Sequence, residues 1–120
     1  MTTVLIVDDD PDVRKLVELK LQTSGYETRI AGNGVEGLDA LEAHDIDIVV
    51  LDLMMPVMDG LEMCSRMRMD DRFRDIPVVM LTARAQPADI ERGFELGATD
   101  YVVKPFSPRE LVSRIRSLVG

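Results

Sequence analysis

The spacing of apolar residues changes from that of a strand to that of a helix five times along these 120 residues. Thr3–Val7 is an almost continuous apolar run, which is typical of a parallel strand covered on both faces. Asp10 and Pro11 then supply an N-cap and a first helical residue, and Gly25 supplies a helix stop. The repeated alternation predicts five strand–helix units, the last helix beginning after Ser107-Pro108.

The other predicted strands cover residues 26–31, 46–51, 77–81 and 101–103. The strand at 26–31 alternates apolar with charged residues, which indicates a position at a sheet edge. Right-handed crossovers make successive strands parallel. We therefore predict one α/β domain over residues 1–120, with a doubly wound, flavodoxin-like (βα)5 fold and strand order 2-1-3-4-5.

Composition excludes several classes of function. The formal net charge is −8 and the pI is about 4.5, which argues against direct contact of this domain with nucleic acid. Cys64 is the only cysteine, so an intramolecular disulfide and a cysteine zinc site are excluded, and we expect a core thiol. The sequence has neither a signal peptide pattern nor an apolar run of about 20 residues. A cytoplasmic domain without membrane contact is the expectation.

Polar residues stand where the predicted strands end. Asp8 and Asp9 follow the first strand, Asp52 follows the third, and Thr82 and Lys104 follow the fourth and fifth. In an open parallel sheet, ligands bind beyond the carboxyl ends of the strands where the strand order reverses. The predicted topology therefore brings carboxylates, a hydroxyl and an ammonium together at one edge.

Neighbouring carboxylates repel one another unless a positive charge joins them. An all-oxygen cluster suits Mg²⁺, and Mn²⁺ is possible. A hard cation, a lysine and a hydroxyl together stabilise a phosphoryl group during transfer. An aspartate carboxylate can itself act as the nucleophile, and Asp52 at the end of a buried strand is the best candidate.

These residues lie in short motifs that resemble the receiver domain of two-component response regulators. The match covers the whole chain. The motifs are Val7-Asp8-Asp9, Asp52-Leu53-Met54-Met55-Pro56 with Asp59-Gly60, Thr82-Ala83, and Tyr101-Val102-Val103-Lys104-Pro105-Phe106.

The resemblance implies that Asp52 is the phosphoacceptor. It also implies that Asp9 and Asp52 bind Mg²⁺ directly together with the backbone carbonyl of Met54, while Asp8 is a ligand or acts through a bound water. Met54 and Arg84, each two residues beyond a site residue, stand at positions that vary in the family and tune dephosphorylation. Here we expect them to shield the acyl phosphate from water.

The same resemblance implies roles for three further residues. Thr82 donates its hydroxyl to a phosphoryl oxygen, and Lys104 pairs with the phosphoryl group and a carboxylate. Tyr101 is the aromatic switch, which turns inward when Thr82 moves toward the phosphate. The peptide bond between Lys104 and Pro105 is expected to be cis.

The function implied is a phosphorylation-activated switch. A sensor histidine kinase or phosphotransfer protein of a phosphorelay would donate to Asp52, and the chain would be a regulatory domain that catalyses only its own phosphotransfer and slow dephosphorylation. The output surface would comprise the fourth helix, fifth strand and fifth helix, where Asp100 with Arg114 and Glu95 with Arg116 could pair across a homodimer. Ile90 weakens the dimer hypothesis, because related receivers usually carry a basic residue there.

Two alternatives compete with this interpretation. The first is a protein-interaction module of the same fold that is not phosphorylated. The second is a dinucleotide site, because Gly32-Asn33-Gly34-Val35-Glu36-Gly37 is a literal GxGxxG segment between a strand and a helix. Against the second, the preceding strand is edge-like and the chain is short for two mononucleotide-binding halves.

Overall fold

The computed structural model describes residues 1–119, which alternate strictly between strand and helix. The strands are β1 (Thr3–Val7), β2 (Glu27–Ala31), β3 (Ile48–Leu51), β4 (Val78–Thr82) and β5 (Asp100–Val103). The helices are α1 (Pro11–Thr23), α2 (Gly34–Ala43), α3 (Gly60–Arg68), α4 (Pro87–Glu95) and α5 (Pro108–Val119). All strand pairs are parallel in the order β2-β1-β3-β4-β5, so the predicted fold and topology are confirmed.

The sheet separates two apolar cores, because successive residues of each strand point to opposite faces. On one face, α1 and α5 pack on residues such as Ile6, Val50 and Leu81. On the other face, α2 and α3 pack on their neighbours in the same strands, such as Leu5 and Val49. The central strands are therefore buried on both sides, which is why their sequences are continuous apolar runs rather than alternating ones.

The edge strand and the strand bounds differ in detail from the prediction. β2 is mostly exposed, as expected for an edge, and the Ile30 side chain is 49% exposed although it is apolar. β3 starts at Ile48 rather than residue 46, and β4 is displaced by one residue toward Thr82. Apolar content alone does not mark these ends: Ile46 is buried yet precedes the strand.

Local capping explains where three of the helices begin. Asp10 accepts a hydrogen bond from the Asp12 N–H at α1, Asn33 accepts one from Glu36 at α2, and Asp59 does so at the start of α3. The N-cap of α4, Gln86, makes no such side-chain bond. Among residues 1–119, no helix is long and apolar enough to cross a membrane.

Arg68 at the end of α3 holds three chain segments together at the amino edge of the sheet. Its guanidinium donates to the carbonyl of Gly97 through Nε (3.0 Å) and Nη2 (2.8 Å), and through Nη1 to the carbonyls of Arg74 (2.9 Å) and Ile76 (2.7 Å). Gly97 has a φ of 111° and no room for a Cβ, which would lie 2.6 Å from the Arg68 Cγ. The turn after α4 is thereby tied to α3.

Replacing Arg68 by Met should lower the free energy of unfolding by about 2–4 kcal/mol, because three carbonyls lose a charged donor while the apolar stem is kept. Urea denaturation measures this. Arg66→Met is the control, since Arg66 makes only an exposed 3.5 Å pair with Glu62 and its loss should cost roughly 0.5 kcal/mol or less. Equal losses of unfolding free energy in the two variants would contradict this role of Arg68.

The loop between β3 and α3 contains an unfavourable backbone conformation. Val57 has a φ of 69°, a left-handed conformation that is costly for a β-branched residue. Its side chain is 82% exposed, so little packing compensates for the strain.

Val57→Gly should therefore stabilise the domain by roughly 0.5–1 kcal/mol, because removal of the strain exceeds the entropic cost of a glycine. Val57→Ala should fall between the two. Thermal denaturation of the three proteins gives the order directly, and destabilisation by the glycine variant would show that the valine side chain has a stabilising contact.

Candidate functional site

The carboxyl ends of β1, β3, β4 and β5 converge on one group of polar side chains. Asp8 follows β1, Asp52 follows β3, Thr82 ends β4 and Lys104 follows β5. The register places these ends side by side, because Val7 pairs with Leu51 and Thr82 pairs with Val103, the residue before Lys104. The sheet therefore brings the predicted site residues to one edge, as the topology required.

Lys104 joins the two buried carboxylates. Its Nζ lies 2.9 Å from Asp8 Oδ2 and 3.2 Å from Asp52 Oδ2. Asp8 is 2% exposed and Asp52 6% exposed, so little water reaches either carboxylate. The Lys104–Pro105 peptide bond is cis, as expected.

Burial and charge act in opposite directions on these groups. Burial raises the pKa of Asp8, and the nearby Asp52 charge raises it further, against hydrogen bonds from the Asp10 N–H and from Lys104. Burial opposes the charge on Lys104, but the hydrogen bond to Asp8 and the charge of Asp52 outweigh it and hold the Lys104 pKa above its usual value. Asp8 and Asp52 together therefore carry more negative charge than the single Lys104 ammonium group neutralises.

Three carboxylates have the arrangement of a cation site. One oxygen from each of Asp8, Asp9 and Asp52 lies within 4.8 Å of the others, and Asp9 is the exposed member. A set of oxygen ligands open to water on one side suits Mg²⁺ or Mn²⁺. Met54 donates its N–H to Asp52 Oδ1 at 3.2 Å, which fixes the start of the following loop. The role of the Met54 carbonyl as a ligand stays a prediction.

Gly60 explains why the Asp59-Gly60 pair follows the nucleophile candidate. The Gly60 N–H donates to the Leu53 carbonyl at 3.0 Å. A Cβ on Gly60 would overlap the backbone carbonyl of Asp52. The start of α3 can press against the backbone of Asp52 only because residue 60 has no side chain.

A chain of hydrogen bonds leads from Thr82 to Tyr101. Thr82 is fully buried, and its hydroxyl oxygen accepts from the Arg84 N–H at 3.3 Å. The Tyr101 hydroxyl donates to the Arg84 carbonyl at 2.8 Å, and the Tyr101 ring is only 8% exposed. The backbone of Arg84 is therefore bonded to both residues, a connection that the sequence motifs did not indicate.

Met54 and Arg84 lie at the rim of the site. Both line a cavity of about 550 Å³ that also contacts Asp9. The Met54 side chain is exposed, and Arg84 forms a 3.3 Å ion pair with Asp89. Shielding of an acyl phosphate by these two residues stays a prediction.

The GxGxxG segment has a structural explanation. Asn33 caps α2, and a Cβ on Gly34 would lie 2.9 Å from the Met58 carbonyl oxygen. A Cβ on Gly37 would lie 2.8 Å from the sulfur of Met63. These glycines allow α2 to pack closely against the loop before α3 and against α3 itself.

The expected core thiol is also confirmed. Cys64 is fully buried in the core beneath α3, and burial raises the pKa of its thiol.

Known proteins are similar to this chain in both sequence and fold. The family model described as the response regulator receiver domain matches residues 4–116. A probable transcriptional regulator ycf27 from Cyanidium caldarium is 47% identical over 116 residues, and the transcriptional regulator RpaA from Synechocystis sp. is 43% identical over 119 residues. These matches cover 97% and 99% of this chain but only 45% and 49% of the two relatives, so the chain spans about half their length.

Two solved structures superpose on this chain over nearly their whole length. A putative response regulator from Chloroflexus aurantiacus has a TM-score of 0.94 and 40% sequence identity, with 98% of this chain and 97% of that chain covered. The chemotaxis protein CheY4 from Vibrio cholerae has a TM-score of 0.93 and 36% identity, with 98% of both chains covered.

Asp8→Asn should raise the free energy of unfolding by about 1–2 kcal/mol at pH 7 in a chelator, because it removes a buried negative charge beside Asp52. The folded-state pKa of Asp8 is raised, so its stabilising contribution is present below its unfolded pKa of about 3.9 and is lost as pH rises through the folded value. Urea denaturation between pH 4 and 8 should show a shallower decline for the variant than for the wild type.

Addition of Mg²⁺ should then stabilise the wild type more than Asp8→Asn, since the variant lacks one carboxylate of the cluster. Asp12→Asn, an exposed position in the first turn of α1, should change neither the pH profile nor the response to Mg²⁺. Identical responses in the Asp8 and Asp12 variants would contradict the assigned electrostatics.

Proposed function

Since this chain belongs to the response regulator receiver domain family, we propose that it is a phosphorylation-activated switch in which Asp52 accepts a phosphoryl group in a Mg²⁺-dependent reaction. The unit proposed to do this is the receiver domain of a two-component response regulator, over residues 1–120. It is a regulatory domain, whose only chemistry is its own phosphotransfer and slow dephosphorylation.

The observation that carries the proposal is the position of Lys104. Its ammonium group contacts Asp52 and Asp8 at once, from a neighbouring part of the sheet edge. A carboxylate held beside a cation, with a second carboxylate that keeps this cation in place, has a fixed position from which it can act as a nucleophile. Lys104 also stands ready to contact oxygens of a phosphoryl group that joins Asp52.

The proposed transfer begins from a phosphohistidine of a sensor histidine kinase or phosphotransfer protein. An oxygen of Asp52 forms the new O–P bond while the P–N bond of the donor breaks, and the electron pair of that bond returns to the imidazole. Asp9, Asp52 and the Met54 carbonyl would hold Mg²⁺ or Mn²⁺, with Asp8 as a further ligand or acting through a water. The bound cation would offset the negative charge on the phosphoryl oxygens.

The proposed switch uses the bonds that meet at Arg84. The Thr82 hydroxyl accepts from Arg84 and keeps its own proton for a phosphoryl oxygen. A movement of Thr82 toward that oxygen pulls on the same backbone to which the Tyr101 hydroxyl is bonded. Phosphorylation would thus bias the surface formed by α4, β5 and α5 through contacts made only in one state.

That surface is the proposed site of output and of homodimer formation. Arg114 contacts Asp100 within this chain at 2.9 and 3.0 Å, so dimer formation through this pair requires the internal pair to open or to be shared. The relative MtrA from Mycolicibacterium smegmatis is described as a DNA-binding response regulator. Control of transcription through a separate DNA-binding part is accordingly a proposal for the full-length protein, whereas this acidic domain is proposed to make no direct contact with nucleic acid.

Incubation with acetyl phosphate should give a single phosphoryl adduct by intact-mass spectrometry, and the adduct should require Mg²⁺. Asp52→Asn should abolish it, because the amide is not a nucleophile that can form an acyl phosphate. Asp45→Asn, an exposed acid distant in the fold from the site, is the matched control and should be phosphorylated like the wild type.

An adduct that persists in Asp52→Asn would place the phosphoryl group elsewhere. Failure of the wild type to form any adduct, with or without Mg²⁺, would favour the alternative of an unphosphorylated interaction module with the same fold.

A further inference from the structure

One residue of helix α4 is buried against the sheet. That residue is Gly93, and the Cδ2–Cε2 edge of the Tyr101 ring lies against it. Tyr101 is itself held at both ends, since its backbone pairs with Met80 in the sheet and its hydroxyl donates to the Arg84 carbonyl. At this point the approach of α4 to β5 is limited by the contact of a glycine with an aromatic ring.

One further carbon atom in this contact would be tightly crowded. A Cβ on Gly93 would lie 3.1 Å from Cε2 and 3.2 Å from Cδ2 of Tyr101. Carbon atoms prefer separations of about 3.5–4.0 Å, so an alanine would force the ring or the helix to move.

The backbone does not account for this glycine. Positive φ values occur at Gly25 and Gly97 among the glycines of residues 1–119, whereas Gly93 lies inside a helix. Glycine is a poor residue for a helix interior, and alanine is the best. The contact with Tyr101 is the feature at residue 93 that favours a glycine.

We infer that Gly93 is a positioning residue: its missing Cβ admits the Tyr101 ring beneath α4 and so keeps the Tyr101 hydroxyl on the Arg84 carbonyl. The importance of this placement for output rests on the proposed function, because Tyr101 is the proposed link between Thr82 and the α4–β5–α5 surface. The contact between Gly93 and Tyr101 can be tested without phosphorylation.

Weak anchoring of α4 makes the glycine decisive. The helix lacks a side-chain N-cap bond at Gln86. Its apolar contacts with the core below are made by the partly buried Ile90 and by the half-exposed Phe94, whose ring centroid lies 6.3 Å from that of Tyr101. At its other end the following turn is held by Arg68. A bulkier residue at position 93 would therefore displace either the Tyr101 ring or the free end of α4, and both movements separate the Tyr101 hydroxyl from Arg84.

The test uses the fact that the chain has two tyrosines and no tryptophan. Tyr26→Phe leaves Tyr101 as the single site for 3-fluorotyrosine, whose ¹⁹F resonance distinguishes a buried ring from an exposed one. Gly93→Ala should shift the resonance toward the solvent-exposed value, and Gly93→Val should shift it further. Glu91→Ala, an exposed position in the same helix, should leave it unchanged.

Titration of the phenol gives a second readout in the same proteins. Burial raises the pKa of Tyr101, and the nearby Asp89 charge raises it further against Arg84. Release of the ring in the Gly93 variants should move its pKa down toward the ordinary value of about 10.

A double-mutant comparison separates ring contact from helix propensity. With Tyr101 present, Gly93→Ala should lower the midpoint of urea denaturation. In a Tyr101→Ala background the same change should raise the midpoint, because only the gain in helix propensity remains. An unshifted ¹⁹F resonance in both Gly93 variants, or a rise of the midpoint in both backgrounds, would overturn the inference.

Phosphorylation of the Gly93 variants by acetyl phosphate keeps the two hypotheses apart. An adduct on Asp52 together with a released Tyr101 ring supports both. Absence of the adduct from the wild type as well overturns the proposed function while the ¹⁹F result still decides the role of Gly93.

Discussion

The structure depends on the compensation of buried negative charge by one ammonium group. Asp8 and Asp52 stand at the ends of two adjacent buried strands, where the sheet topology leaves them no alternative position. Lys104 satisfies both, but it leaves an excess of negative charge with Asp9 beside it at the surface. Affinity for a hard cation follows from this excess, because a cation relieves the repulsion between the carboxylates. A phosphoryl group on Asp52 would add further negative charge, which Lys104 and such a cation would offset.

The surroundings of the site divide into a firmly held and a loosely held part. Gly60 lets α3 begin directly against the backbone of Asp52, and Arg68 secures the opposite end of the same helix. Helix α4 has far fewer attachments, although the bond between Tyr101 and Arg84 ties the loop before it to β5. A movement of the Thr82 side chain should therefore displace α3 less than α4, because α3 is attached more firmly to the rest of the fold.

Local patterns were sufficient to predict the fold and the residues at the sheet edge. The strands other than β2 are apolar runs that end in or are followed by a polar residue, and the rule for parallel sheets then places Asp8, Asp52 and Lys104 together. Contacts distant in sequence were not predictable in this way. Arg68 resembles any charged residue at a helix end, although it is the donor that holds Gly97.

The glycines show the same limit more clearly. The segment from Gly32 to Gly37 matches a nucleotide-binding pattern, but the space that Gly34 and Gly37 vacate is filled by Met58 and Met63 from distant parts of the chain. Nothing near Gly93 in sequence indicates that Tyr101 lies on it. Spacing identifies which residue types are present, whereas the identity of the atoms that face a missing side chain is determined only by tertiary packing.

The two cores on opposite faces of the sheet consist of different side chains. Substitutions that repack α1 and α5 touch none of the residues beneath α2, α3 and α4, so their energetic effects should be close to additive with changes on the other side. Over evolutionary time such a domain can acquire a new recognition surface on one face without altering the packing of the core on the other face. The sheet thus separates two independently evolvable halves of one molecule.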